Sequence, residues 1–229
     1  MILFVVGDID PESLIDVIRE NQDAKGYKDA PEIKRFFPDE PAHVAIPERE
    51  VKMQVSTPKV FVGTKSVICD KMSPKEMLKI DLALDVLLEM LFGSSSDYYE
   101  QILAEELAND SFGFEASHEP SASFCLVGGD TNKPDALATS IKKRLLSVTG
   151  FDPDEDEFLR IKRKKTGQFL SALNSVEFIA NRFTEYAFNG LTLFDVVETL
   201  EDLQVADTRM VAKDYFKEDR LTVFKIMPE

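Results

Sequence analysis

The stretch from Ser73 to Gly93 constrains this chain more than any other. Ser73-Pro74-Lys75-Glu76 spells a capping box with proline at the first helical position. From there to Phe92 the residues are apolar almost all round, broken by a stripe of Asp81, Asp85 and Glu89 at four-residue spacing. Such a helix needs cover on most sides, so strands and further helices must pack around it. At 229 residues, 44% of them hydrophobic, the chain has the material for that core. The acidic stripe reads as a solvated line on an otherwise buried helix.

The other elements follow from alternation and punctuation. Strands are predicted over residues 50–56, 59–65, 112–118, 123–129 and 221–226, with neighbouring strands pairing antiparallel. An apolar run at residues 2–6, closed by Gly7-Asp8, reads as one more strand, and Asp10-Pro11-Glu12 opens a helix towards Gln22. Helices are further predicted from Asp97 to about Ala108 and around Leu137, Ile141 and Leu145. A long one starts at Asp152-Pro153-Asp154-Glu155 and runs towards Leu173, and Asn174 or Ser175 caps the next. Residues 193–200 and 207–216 read as short helices. Residues 24–50 hold four prolines (Pro31, Pro38, Pro41 and Pro47) and no periodicity, which predicts a linker. The class is α+β, a mostly antiparallel sheet packed against helices. A strand–helix stub (1–23) and the linker (24–50) precede the main domain (51–229).

Charge and composition narrow the function. Acidic residues outnumber basic ones 42 to 27, for a formal charge of −15, which argues against nucleic-acid and anionic-membrane partners. No run is long and apolar enough to span a bilayer, since residues 82–92 contain Asp85 and Glu89. Two cysteines, Cys69 and Cys125, make no disulfide framework, and the simpler setting is a reducing cytoplasm.

The chemistry-bearing residues are sparse. His43 and His118 are the two histidines, neither with a second ligand at helical spacing, so no metal site is expected in this chain. Ser94-Ser95-Ser96 lacks nucleophile-elbow context, and Cys125 amid Phe124, Leu126 and Val127 reads as an inert strand residue. Gly128-Gly129-Asp130 matches no phosphate-loop pattern and reads as tight-turn glycine. The basic run Arg160, Lys162, Arg163, Lys164 and Lys165 is a solvated helix face or a patch for an acidic partner. Arg182 and Tyr186 stand four apart on a helix, where they can hold a substrate carboxylate or lock the helix to its neighbours.

Several phrases resemble the pitrilysin/insulinase-like zinc peptidases, a family that includes the mitochondrial processing peptidase subunits. They are residues 3–12 (LFVVGDIDPE), 91–99 (LFGSSSDYY), 112–116 (FGFEA), 171–181 (SALNSVEFIAN) and 218–223 (EDRLTV). The resemblance covers residues 1–23 and about 50–229. It implies two homologous α+β halves enclosing a chamber for unfolded peptides, with the zinc motif His-x-x-Glu-His in the first half. That motif is absent here, so this chain looks like the end of the first half, the linker and the whole second half. Zinc is expected in the missing half, and the partners are a peptide substrate and that half or a homologous subunit. Family members often place a substrate-orienting Arg and Tyr on a strand and the following helix. The matching stretch here, residues 123–134, has neither, and neither role transfers to Arg182 or Tyr186. The resemblance leaves two readings: the non-zinc half of an endopeptidase, or an inactive subunit that supports a catalytic partner.

Overall fold

Five strands build one sheet: β1 (Glu48–Met53), β2 (Lys59–Lys65), β3 (Gly113–Glu119), β4 (Ala122–Asp130) and β5 (Leu221–Pro228). The computed structural model describes residues 2–28, 31, 33, 34, 36, 40–66, 72–119, 122–150 and 153–229. Cys69, Asp152 and part of the predicted linker lie outside the described residues, as does the side chain of His118.

The strand order is β1-β5-β2-β4-β3. The β2–β4, β2–β5 and β3–β4 ladders are antiparallel and the β1–β5 ladder is parallel, so the sheet is mostly antiparallel as expected. One pairing differs from the sequence reading. β1 and β2, neighbours in sequence, do not pair, because β5 lies between them. Burial explains the insertion. β5 buries Leu221 and Val223 and suits a central place, whereas β1 carries Glu48, Arg49, Glu50 and Lys52 and suits an edge.

Eight helices complete the described chain. They are α1 (Pro11–Ala24), α2 (Pro74–Phe92), α3 (Asp97–Ala104), α4 (Pro134–Ser147), α5 (Glu155–Ala172), α6 (Val176–Phe188), α7 (Leu193–Asp202) and α8 (Val205–Tyr215). The capping box at α2 is present: Ser73 N donates to Glu76 Oε2 at 2.7 Å, and Glu76 N donates to Ser73 Oγ at 3.3 Å. Gly93 ends the helix, and a Cβ there would stand 2.3 Å from the Glu89 carbonyl oxygen, so only glycine fits. Asp154 caps α5 and Ser175 caps α6.

The long apolar helix sits where its composition demands. α2 packs on β3 on one side and on α5, α7 and α8 on others, burying Leu84, Leu87, Leu88 and Leu91 completely. Val60 and Val62 of β2, Cys125 and Val127 of β4, and Val223 of β5 supply the sheet side of this core, and Leu137, Ile141 and Leu145 of α4 close it. A smaller cluster of Leu78, Leu191, Val196 and Leu200 joins α2 to α7. All of the buried strand residues point to one face, so the helices form a layer on that side.

Two terminal features depart from the sequence reading. Residues 2–6 form no ladder with the described sheet. An apolar run gains a strand's hydrogen bonds only from a partner edge, and the described sheet supplies none at that point. The end of the predicted linker is docked: Val44 N donates to Asp219 O at 2.9 Å, Thr222 Oγ1 to Ile46 O at 2.7 Å, and Val223 N to Pro47 O at 2.9 Å.

Candidate functional site

The side of the sheet away from the helices is a surface that the described residues leave open for a ligand. Registry places Phe61 of β2 beside Phe224 of β5, Lys59 beside Ile226, and Leu126 of β4 beside Gly63. Parity gives this face Phe61, Phe124, Leu126, Phe224 and Ile226, together with Val51 and Met53 of β1. None of these belongs to either buried core cluster. Phe61, Leu126, Phe224 and Ile226 are half-buried and Phe124 is exposed, so the face is apolar and open. Gly63 deepens it: the Leu126 side chain occupies the place a Cβ would take, at 2.9 Å. Charges rim the ends, with Lys59 paired to Asp130 at 2.5 Å and Lys65 to Glu40 at 3.4 Å. The same parity adds Arg49 of β1 and Glu115 of β3 on the two edge strands, and the chemistry the rest of the face offers is shape and apolar contact along extended backbone.

The α2 stripe and the α5 basic run, both read as solvated, are partners. Lys164 Nζ donates to Glu89 Oε1 at 2.7 Å, and Lys165 reaches Asp85 at 2.8 Å and Glu89 at 3.5 Å. Glu89 is buried, only 8% exposed. Burial pushes its pKa up, but the hydrogen bond from Lys164 and the charges of Lys165 and Lys164 outweigh that and hold the carboxyl below the usual glutamate range. Lys165 also lies 5.9 Å from the centroid of the Phe114 ring. Lys162 donates to the Glu201 and Leu203 carbonyls, tying α5 to the end of α7. The basic run is therefore largely consumed inside the fold. Four-residue spacing on α2 and adjacent lysines on α5 were the visible signals; their meeting was not.

Arg182 and Tyr186 face different tasks. Arg182 donates to both carboxylate oxygens of Glu185, at 2.9 and 2.7 Å, and this exposed pair satisfies its charge. Tyr186 packs against the Leu78–Leu191–Val196–Leu200 cluster, and burial pushes its hydroxyl pKa up.

The donor set does not fit a zinc ion. Among the described residues no three His, Cys, Asp or Glu side chains cluster as metal ligands, and His43 is exposed. Cys125 is fully buried, and burial pushes its thiol to about 12, which keeps it protonated at neutral pH. Gly128 and Gly129 serve close strand packing: a Cβ at Gly128 would fall 1.9 Å from Val60 O. Ser94-Ser95-Ser96 is a helix junction in which Ser96 caps α3 and Ser95 accepts from Arg160. Among the described residues no helix is long and apolar enough to cross a membrane.

Known proteins share this fold. Residues 1–165 match the family described as the peptidase M16 inactive domain. The chain is 44% identical over 229 residues to the uncharacterized zinc protease YmfH of Bacillus subtilis (strain 168), covering all of this chain and 53% of that protein. It is 25% identical over 239 residues to zinc protease PqqE of Helicobacter pylori, covering 99% of this chain and 51% of that one. An M16-like peptidase of Alicyclobacillus acidocaldarius superposes with a TM-score of 0.89 at 27% identity, over 97% of this chain and 53% of that one. The chain thus spans about half the length of the curated relatives it matches. The zinc-peptidase resemblance and the α+β half-domain expected from sequence are both borne out. This chain belongs to the peptidase M16 inactive domain family.

Proposed function

We propose that this chain is the non-zinc, C-terminal half of a bacterial zinc endopeptidase and forms one wall of its peptide chamber. The observation that carries the reading is the open apolar sheet face of Phe61, Leu126, Phe224 and Ile226, on a domain whose relatives are named zinc proteases. An extended peptide adds to an edge of this sheet through backbone hydrogen bonds, and its side chains reach apolar pockets on the open face. Zinc, its ligands and the glutamate base come from the other half, and the substrate is a peptide or unfolded protein. Residues 1–23 then belong to the preceding half, residues 24–50 are the linker and residues 51–229 are the wall. The setting is the cytoplasm. Support for the division comes from α1, which has no buried residue and leaves Ile15 and Val17 exposed.

The first test is the size of the native protein, by immunoblot of the source cells with antibody to this chain. A band near twice the chain's own mass fits two domain-sized halves. A band at the chain's own mass replaces this reading with an inactive subunit that pairs with a separate catalytic partner. The wall itself is tested with Phe224→Asp in the assembled protease. Peptide cleavage with an unchanged KM removes the sheet face from the peptide path. Arg182→Ala and Tyr186→Phe, read the same way, decide whether each of the two takes part in peptide binding.

A further inference from the structure

We propose that the peptide adds to β3 rather than to β1, and that Glu115 selects a lysine or arginine in it. The inference rests on the reading of this domain as a chamber wall and names the substrate class of that wall. Among the described strands the sheet has two edges, β1 and β3. β1 is a defended edge: Glu48, Arg49, Glu50 and Lys52 are charged, and Lys225 holds Glu48 at 2.6 Å. From Gly113 to Ser117, β3 carries a single charge, Glu115, and no lysine or proline. It is also held firm from behind. α2 packs on β3, Phe114 and Ala116 lie against the main core, and the Lys165 ammonium sits 5.9 Å from the centroid of the Phe114 ring. A firm strand with a bare row of backbone groups is a template that an extended peptide completes.

The register sets what such a peptide must carry. Gly113, Glu115 and Ser117 belong to the open face, and Phe114 and Ala116 to the helix side. A residue of the added strand opposite Glu115 stands about 5 Å from it between Cβ atoms, close enough for a cross-strand ion pair. Glu115 is exposed, and among the described residues no cation pairs with it. Two positions along, Gly113 has nothing within 4 Å of its Cβ position and pairs with Gly128, which pairs in turn with Phe61. That row is bare of side chains as far as Phe61, so it receives a bulky apolar residue. The peptide residue between these two faces Phe114 and is apolar as well. The substrate class is an extended segment reading bulky apolar, apolar, basic, in either direction along the strand. The formal charge of −15 draws cationic segments towards the domain.

The test follows the fluorescence anisotropy of a labelled synthetic peptide, with a Phe-Val-Lys core between threonine flanks, on the 229-residue chain. A second peptide carries Glu in place of the Lys. The lysine peptide is expected to bind roughly ten-fold tighter than the glutamate peptide, and Glu115→Lys to reverse that order. Glu177→Lys makes the same change of charge on exposed α6 and is expected to preserve it. An order that survives Glu115→Lys, or that Glu177→Lys also reverses, overturns the proposal. A chain that prefers the glutamate peptide, and loses that preference in Arg49→Glu, places the peptide on β1 and overturns it too. N-methylation of alternate backbone amides in the lysine peptide is expected to abolish binding for one set and spare it for the other; equal binding by both rules out strand addition. If neither peptide binds, the wall reading falls with the proposal. Binding that ignores residue 115 overturns the proposal alone, because the wall needs only the apolar face.

Discussion

Glu89 and Lys164 meet at 2.7 Å across the interface of α2 and α5, with Lys165 3.5 Å from the other carboxylate oxygen. This joins the most buried helix of the domain to a helix that buries only Phe158 and Ile161. An ion pair is the main specific tie there, and its loss should loosen α5 before anything else.

Glu89→Gln keeps the shape and removes the charge. Lys165 retains Asp85, so the cost is that of a charge-assisted hydrogen bond, about 2 kcal/mol. In a domain of this size that lowers the melting temperature by roughly 4–8 °C. The pH dependence has a definite sign. Glu89 is held below its ordinary value of 4.5, so its contribution is fully present above that value and fades as the pH falls through the folded one. The gap between wild type and Glu89→Gln should therefore shrink below pH 4.5, as read by melts across an acid series. A gap that stays constant down to about pH 3 contradicts this.

Gly128→Ala should be among the most damaging single-methyl changes in the chain. The new Cβ would lie 1.9 Å from Val60 O and 2.8 Å from Phe61 Cα, both backbone, so β2 and β4 must part. A loss of about 3 kcal/mol is expected for such overpacking. Gly113→Ala is the control, with nothing within 4 Å of its Cβ position. Urea unfolding of the two variants makes the comparison, and equal midpoints would refute the close approach.

Cys125 should be silent to thiol reagents while the domain is folded. It is fully buried, and its pKa of about 12 leaves almost no thiolate at mildly alkaline pH. Pulse labelling with N-ethylmaleimide, followed by mass spectrometry, should find Cys125 modified only in denaturant. Labelling within minutes in native buffer would show that β4 opens readily.

The isolated chain is expected to retain no stoichiometric zinc after dialysis against a weak chelator, and to cleave no peptide. Elemental analysis checks the first and a quenched-fluorescence casein assay the second. Chelator-sensitive cleavage by a tag-free preparation would overturn the assignment of zinc to the other half.

How much of this was legible in the sequence depends on the range of the interaction. Ser73, Pro74 and Glu76 announce α2 because capping acts within four residues, and Val60, Val62, Cys125 and Val127 announce a buried face because strands alternate. The partners of Asp85 and Glu89 lie 75–80 residues away, and no local pattern links an acidic stripe to lysines at that distance. The place of β5 between β1 and β2 is hidden for the same reason. The open apolar face escaped notice because Phe61 and Phe224 look like core residues, and only the one-sided helix layer shows that they are not.

That placement of β5 also sets an order of events at the ribosome. Among the described strands β1 pairs with β5 alone, and Lys225, which clasps Glu48 at 2.6 Å, is synthesised 177 residues later. β2 likewise keeps one bare side until β5 arrives. Translation therefore leaves β1 and β2 with unpaired edges while the intervening helices are made, and a nascent chain stalled before Leu221 presents those edges to any strand nearby. Among the described strands β5, made after the other four, is the one that joins β1 to the rest of the sheet.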